Sequence, residues 1–209
     1  MRLHATQRID AGHGADGGPL YVMFHGYGND EGEMVRIIEA VHEGTGREPD
    51  WITFRATYAR PYMGGNYWYP DGCGVDERRR ECSAVGGAVA SMMDSSLLRS
   101  RRKVLVGFSQ GGYLSYRISV EHPGIFDAAV LLSPSFKGEE GARLPVESAK
   151  STHYVLAYGA LDRTIPPQDQ LNARAVLAHA DRFDMLEYPG MGHAICDEEI
   201  ADLRRLLVG

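Results

Sequence analysis

Short runs that are apolar at every position alternate along this chain with longer stretches whose apolar residues recur every three or four positions. LYVMF at 20–24 is the first continuous run and predicts a buried strand that ends at His25-Gly26. Met34, Val35, Ile37, Ile38 and Val41 follow at helical spacing, which predicts a helix over 30–41 with acidic residues at its start. Further strands are expected at 51–54, 103–106, 128–132, 153–158 and 183–188. Between them, helices are expected at 76–98, 111–120, 168–179 and 197–207, with Gly86 and Gly87 read as permitting close packing against the sheet. A loop rich in Gly, Pro and charge is expected to run to about Ser151. Fully apolar strands alternating with amphipathic helices imply an α/β fold, a mostly parallel sheet covered by helices on both faces. In such a sheet ligands bind beyond the carboxyl ends of the strands, so chemistry is expected just after each apolar run.

Composition narrows the class. The 209 residues suit one domain spanning 1–209. A formal charge of -6 gives no electrostatic reason to expect nucleic acid as a partner. Two dense basic runs, Arg78-Arg79-Arg80 and Arg99 to Lys103, are expected to be solvated faces. Cys73, Cys82 and Cys196 have no metal-ligand spacing and no required pairing, so neither a metal nor a disulfide is expected. The first ten residues hold no apolar segment of signal-peptide type, and no run approaches the ~20 apolar residues of a membrane span. A reduced, cytoplasmic protein is the expectation, and a homodimer is compatible with it.

The most informative turn follows the strand KVLV. Gly107-Phe108-Ser109-Gln110-Gly111-Gly112 fits G-x-S-x-G in the strand-turn-helix setting that gives the pattern its meaning. A serine presented on a tight, strained turn crowds the positions two residues either side, where only small residues fit. Ser109 is therefore the candidate nucleophile, with the N-terminal amides and dipole of the next helix aimed at it.

Two later loops supply its partners in the order Ser, acid, His. After HYVLAY, Asp162 is the acidic residue nearest the strand end; Asp169 is a second candidate, at or inside the next helix. After FDMLEY, Pro189-Gly190-Met191-Gly192 leads to His193, whose imidazole suits proton transfer near neutral pH. His4, His13, His42, His122, His153 and His179 fall in strands, helices or the N-terminal segment and are read as structural or solvent-facing. An oxyanion needs two backbone donors, which the Gln110 amide and the Tyr27 amide of His25-Gly26-Tyr27-Gly28 provide. His25 itself is read as a buried residue that holds its turn.

HGYGND, GFSQGG, YGALDRTIP and YPGMGH, in this order and from about Gly18 onward, resemble the small carboxylesterase/phospholipase family of α/β-hydrolases, which includes the acyl-protein thioesterases. The resemblance implies a single α/β-hydrolase domain, a cofactor-free and metal-free mechanism, and hydrolysis of a small-molecule ester or thioester. Its catalytic pattern falls on Ser109, Asp162 and His193, and its oxyanion pattern on Tyr27 and Gln110. Trp68 and Tyr69 are similar to an aromatic pair in the family, but Pro70 stands where an aspartate is expected. With Tyr58, Tyr62 and Tyr67 they make an aromatic loop, and Trp68 and Tyr69 are candidate substrate-binding residues. Lining a pocket and packing the loop onto the sheet both remain open readings. A carboxylesterase acting through an acyl-enzyme is the functional expectation. Alternatives are an acyl-protein thioesterase, a lysophospholipase, or a hydrolase of hydroxycinnamoyl esters. A non-catalytic hydrolase-fold binding protein is set against all five filled positions.

Overall fold

The computed structural model describes residues 3–10 and 18–209, so His13 lies outside the described residues. Its strands are β1 (His4–Arg8), β2 (Leu20–Phe24), β3 (Asp50–Arg55), β4 (Tyr58–Ala59), β5 (Asn66–Tyr67), β6 (Lys103–Phe108), β7 (Ala128–Leu132), β8 (His153–Gly159) and β9 (Phe183–Tyr188). Its helices are α1 (Glu31–His42), α2 (Val75–Met93), α3 (Gln110–Glu121), α4 (Val146–Ser151), α5 (Pro167–Leu177) and α6 (Asp197–Leu207). One sheet runs in the order β1-β3-β2-β6-β7-β8-β9, and every pairing in it is parallel except β1 with β3.

The period of two in the central strands divides the core. Leu20, Val22 and Phe24 pack with residues of α2, α3 and α5, whereas Tyr21 and Met23 pack with α1 and α6. Both faces are thus covered, which is why β2, β6 and β7 carry no polar alternation. Local chemistry sets the helix starts: the Asp30 side chain accepts from the Gly32 amide at 2.9 Å to cap α1, and Pro167 opens α5.

Several expectations change. The helix expected to reach residue 98 stops at Met93, where Asp94-Ser95-Ser96 favours turn over helix and Leu98 turns back into the core. Gly86 packs on α3 rather than on the sheet: a Cβ there would lie 3.1 Å from Ile118, while Gly87 faces open space. The loop after β7 contains the short α4. β1 escapes the apolar pattern because HATQR is an exposed antiparallel edge, and the hairpin β4–β5 is too short to show a period.

The basic runs are not uniformly solvated. Arg101 is buried and pairs with buried Asp50 at 2.8 Å, and the Lys103 ammonium donates to the carbonyls of Arg99 and Arg101 at 3.0 and 2.8 Å. Arg78 is buried too, over the ring of Tyr113. The periodicity of charge cannot report these partners, because each depends on how the chain packs in three dimensions. No helix among the described residues is long and apolar enough to cross a membrane.

Candidate active site

Ser109 stands between β6 and α3 with φ 54° and ψ -113°, in the left-handed half of backbone space that a serine occupies only under constraint. The glycines around it create the room. A Cβ on Gly107 would lie 2.1 Å from the Gly111 carbonyl oxygen, and one on Gly111 would lie 2.0 Å from that of Phe24. The Ser109 amide donates to the Leu132 carbonyl at 2.8 Å, which fixes the turn to the neighbouring strand.

The structure brings together the three side chains singled out from sequence. His193 Nε2 lies 3.0 Å from Ser109 Oγ, and His193 Nδ1 lies 2.8 Å from Asp162 Oδ2. The carboxylate's second oxygen, Oδ1, accepts the Thr164 and Ile165 amides at 2.8 and 3.1 Å. With its side chain fully enclosed and all three bonds directed, Asp162 has one orientation. Nδ1 donates to it, which leaves Nε2 free to accept the serine proton. The acid and histidine loops are tied to each other: the Leu161 and Ala160 amides donate to the Met191 and Tyr188 carbonyls at 2.9 Å each. Gly159 permits this approach, since a Cβ there would lie 2.1 Å from the Met191 carbonyl. Asp169, the second candidate acid, accepts from Ser135 Oγ at 2.6 Å and has no bond to His193.

The loop after β2 is held from three sides. Glu33 Oε2 accepts the Gly26 amide at 2.7 Å, and its other oxygen accepts from Asn29 Nδ2. Burial holds the Glu33 carboxyl above the usual carboxylate range. The Gly28 amide donates to the Asn66 carbonyl at 2.8 Å, and the Asn66 amide donates to the Asn29 carbonyl at 2.7 Å. His25, fully buried, accepts the Ala56 amide on Nε2 at 3.0 Å and donates from Nδ1 to the Gly26 carbonyl at 2.7 Å. Burial lowers its pKa, in keeping with the neutral tautomer those bonds require. Among the described residues, the amides of Tyr27 and Gln110 have no hydrogen-bond acceptor, and both residues line the cleft that contains Ser109 and His193.

The aromatic loop divides its work. Trp68 is buried behind the cleft, packed against Phe24 and His25, and its Nε1 donates to the His25 carbonyl at 2.8 Å. It is absent from the cleft lining, whereas Tyr69 lines it. Tyr58 and Tyr67 stack on each other at 5.4 Å, and Tyr62 is exposed. The Gln110 side chain clamps this segment, accepting the Trp68 amide and donating to the Tyr69 carbonyl, both at 3.0 Å.

Sequence reasoning missed Glu33, the Gln110 side chain and the Ser135–Asp169 pair. Only Glu33 left a trace, as an acidic first-turn residue just after HGYGND. The cleft holds about 550 Å³, and its lining includes the charged side chains of Arg78, Lys137, Asp71 and Asp169. The cysteines are free, and no group of three or more His, Cys, Asp or Glu among the described residues could hold a metal ion.

The fold has many solved counterparts. Arabidopsis thaliana SOBER1 matches at 17% identity and TM-score 0.71, over 91% of this chain and 97% of that one. A carboxylesterase from Mesorhizobium loti matches at 22% identity and TM-score 0.71, over 91% and 88%. The Bacillus cereus carboxylesterase matches at 14% identity and TM-score 0.78, over 99% and 93%. No curated protein matches the sequence. The family model described as phospholipase/carboxylesterase matches residues 14–208. With that match over nearly its whole length, the chain belongs to the phospholipase/carboxylesterase family of α/β-hydrolases.

Proposed function

We propose that this protein is a serine-dependent carboxylesterase that cleaves a small-molecule ester through an acyl-enzyme. The observation that carries the reading is the unbroken hydrogen-bond chain Ser109–His193–Asp162, at 3.0 and 2.8 Å, opening on a cleft with two acceptor-free amides. His193 Nε2 takes the Ser109 proton as Oγ bonds to the ester carbonyl carbon, and the carbonyl electrons move onto oxygen. The Tyr27 and Gln110 amides hold that oxyanion; losing one such donor typically costs about 2.7–4 kcal/mol of barrier. The C–O bond to the leaving group then breaks, and His193 passes its proton to the departing alcohol. Water, deprotonated by His193, attacks the acyl-enzyme, and Ser109 recovers its proton as the acid leaves. Asp162 stays ionised throughout and stabilises the imidazolium.

Within the family, the lining favours a short acyl group over a long one. Five acidic or basic side chains, Glu33, Asp71, Arg78, Lys137 and Asp169, interrupt the cleft, where a fatty acyl chain would need a continuous apolar wall. The aromatic ester reading loses support as well, because Tyr58 and Tyr67 stack outside the cleft lining. Turnover of p-nitrophenyl butyrate by the wild type, lost in a folded Ser109→Ala variant, is the expected outcome. Equal turnover by the two proteins would refute the proposal.

A further inference from the structure

Arg78, in the first turn of α2, is only 5% exposed and lines the same cleft as Ser109 and His193. Its guanidinium carbon lies 4.0 Å from the ring centroid of Tyr113 and 5.8 Å from that of Tyr69. One terminal nitrogen donates to the Lys137 carbonyl, while Nε has no partner. No carboxylate among the described residues is paired with it. Glu139 takes Arg79 at 3.0 Å and the Tyr113 hydroxyl at 2.7 Å, and Asp169 takes Ser135. Among the described residues Arg78 forms no ion pair, although Arg79 and Arg117 beside it do. Glu140, exposed, senses its charge from a distance.

An arginine cannot shed its charge, and a buried charge without a counter-ion is costly unless something supplies one. The two aromatic rings beside the guanidinium stiffen and dehydrate it, conditions that suit recognition of a carboxylate or phosphate. The Lys137 side chain, exposed on the same lining, adds a second cation. Glu33, Asp71 and Asp169 also line the cleft, so the cavity as a whole is no anion funnel, and the attraction for an anion comes from Arg78 and Lys137.

We infer that Arg78, with Lys137, forms an anion subsite and that the ester cleaved at Ser109 carries a carboxylate or phosphate on the arm that reaches it. The inference rests on the serine-esterase reading for the reacting end of the cleft and adds the substrate class. Arg78 is thereby a specificity-determining residue: it acts on binding of the remote arm, and its effect is expected mainly on KM.

Two matched pairs test it and separate the sources of the anion. Mono-p-nitrophenyl adipate is compared with p-nitrophenyl hexanoate, and 1-butyryl-glycerol 3-phosphate with 1-butyryl-glycerol. Wild-type kcat/KM is expected to favour the anionic member of one pair by about tenfold to a hundredfold, the range for a hydrogen bond to a charged group. Arg78→Gln should collapse that ratio, Arg78→Lys should keep part of it, and Lys137→Gln should lower it less. A merely structural role would depress both members alike and leave the ratio intact, which would overturn the inference. So would a wild type with no preference in either pair, whatever the variants do. If no ester turns over, the failure belongs to the esterase reading, and thermal unfolding with added adipate or inorganic phosphate reads the subsite alone. Stabilisation of the wild type but not of Arg78→Gln supports the subsite; none in either protein, or equal stabilisation of both, refutes it.

Discussion

Replacing Asp162 with asparagine probes the proposed proton path more sharply than deleting any side chain. Asp162 Oδ1 accepts two backbone amides, from Thr164 at 2.8 Å and Ile165 at 3.1 Å, while Oδ2 faces His193 Nδ1 at 2.8 Å. An asparagine must keep its carbonyl oxygen on the two amides, because turning the NH2 toward them would set donor against donor twice in a buried site. The NH2 therefore faces Nδ1 and donates to it. His193 then carries its proton on Nε2, 3.0 Å from Ser109 Oγ, and the base has become a donor to the group it should deprotonate. The fold loses little, since the substitution is isosteric and the two hydrogen bonds of His193 reverse direction rather than break. The expected loss in kcat is about 10⁴-fold, or about 5.4 kcal/mol of barrier. The assay is kcat and KM on p-nitrophenyl butyrate, with unfolding followed in parallel. Retention of kcat within tenfold of wild type, in a protein of unchanged stability, would refute the assigned tautomer and with it the role of Asp162.

Three further outcomes follow from the geometry. Glu33→Ala leaves the Gly26 amide and the Asn29 side chain without their acceptor, so kcat on p-nitrophenyl butyrate should fall by about tenfold or more while KM changes less, as the oxyanion loop loosens; an unchanged kcat would show that Asn66 and His25 hold the loop unaided. Gly107→Ala sets a methyl 2.1 Å from the Gly111 carbonyl, and urea unfolding should report a loss of about 1–3 kcal/mol or more; wild-type stability would contradict the crowded turn. Glu199 is fully buried, and burial raises its pKa to about 8 against the opposing pull of the Cys196 backbone. Because the folded value lies above the unfolded one, its contribution to stability is full at acid pH and is lost as pH rises through about 8. Wild-type Tm should therefore drop between pH 5 and pH 9 by more than that of Glu199→Gln, and parallel pH curves would refute the assignment.

The parts of this protein that can be read in advance are those where one strand or helix repeats a single environment. Leu20–Phe24 and Ala128–Leu132 are buried on both faces, so apolar residues at every position announce them, and the turns after the apolar strands supply the candidate site. Ser109 is legible because the glycines its turn requires, Gly107 and Gly111, lie two positions either side of it in the sequence, although the backbone that crowds Gly111 belongs to β2. Asp162 and His193 are legible because the order of loops in a parallel sheet restricts where partners can come from. What escapes depends on contacts between elements. Trp68 reads equally as a pocket residue and as one that packs its loop onto the sheet until Phe24 and His25 are seen to enclose it. Arg78 reads as one of three solvated arginines until α3 sets Tyr113 beneath it. Glu33 reads as a first-turn acid favoured by the helix dipole, and nothing in its spacing tells that the same carboxylate holds the Gly26 amide.

The central claim is that Ser109 is a nucleophile activated by His193. Its most direct test is labelling of the wild type, Ser109→Ala and His193→Ala with a fluorophosphonate, followed by mass mapping of the modified peptide. The account predicts one adduct, on Ser109, formed rapidly in the wild type, absent from Ser109→Ala and strongly slowed in His193→Ala. Labelling of a different residue, or no labelling of a folded wild type, would contradict it.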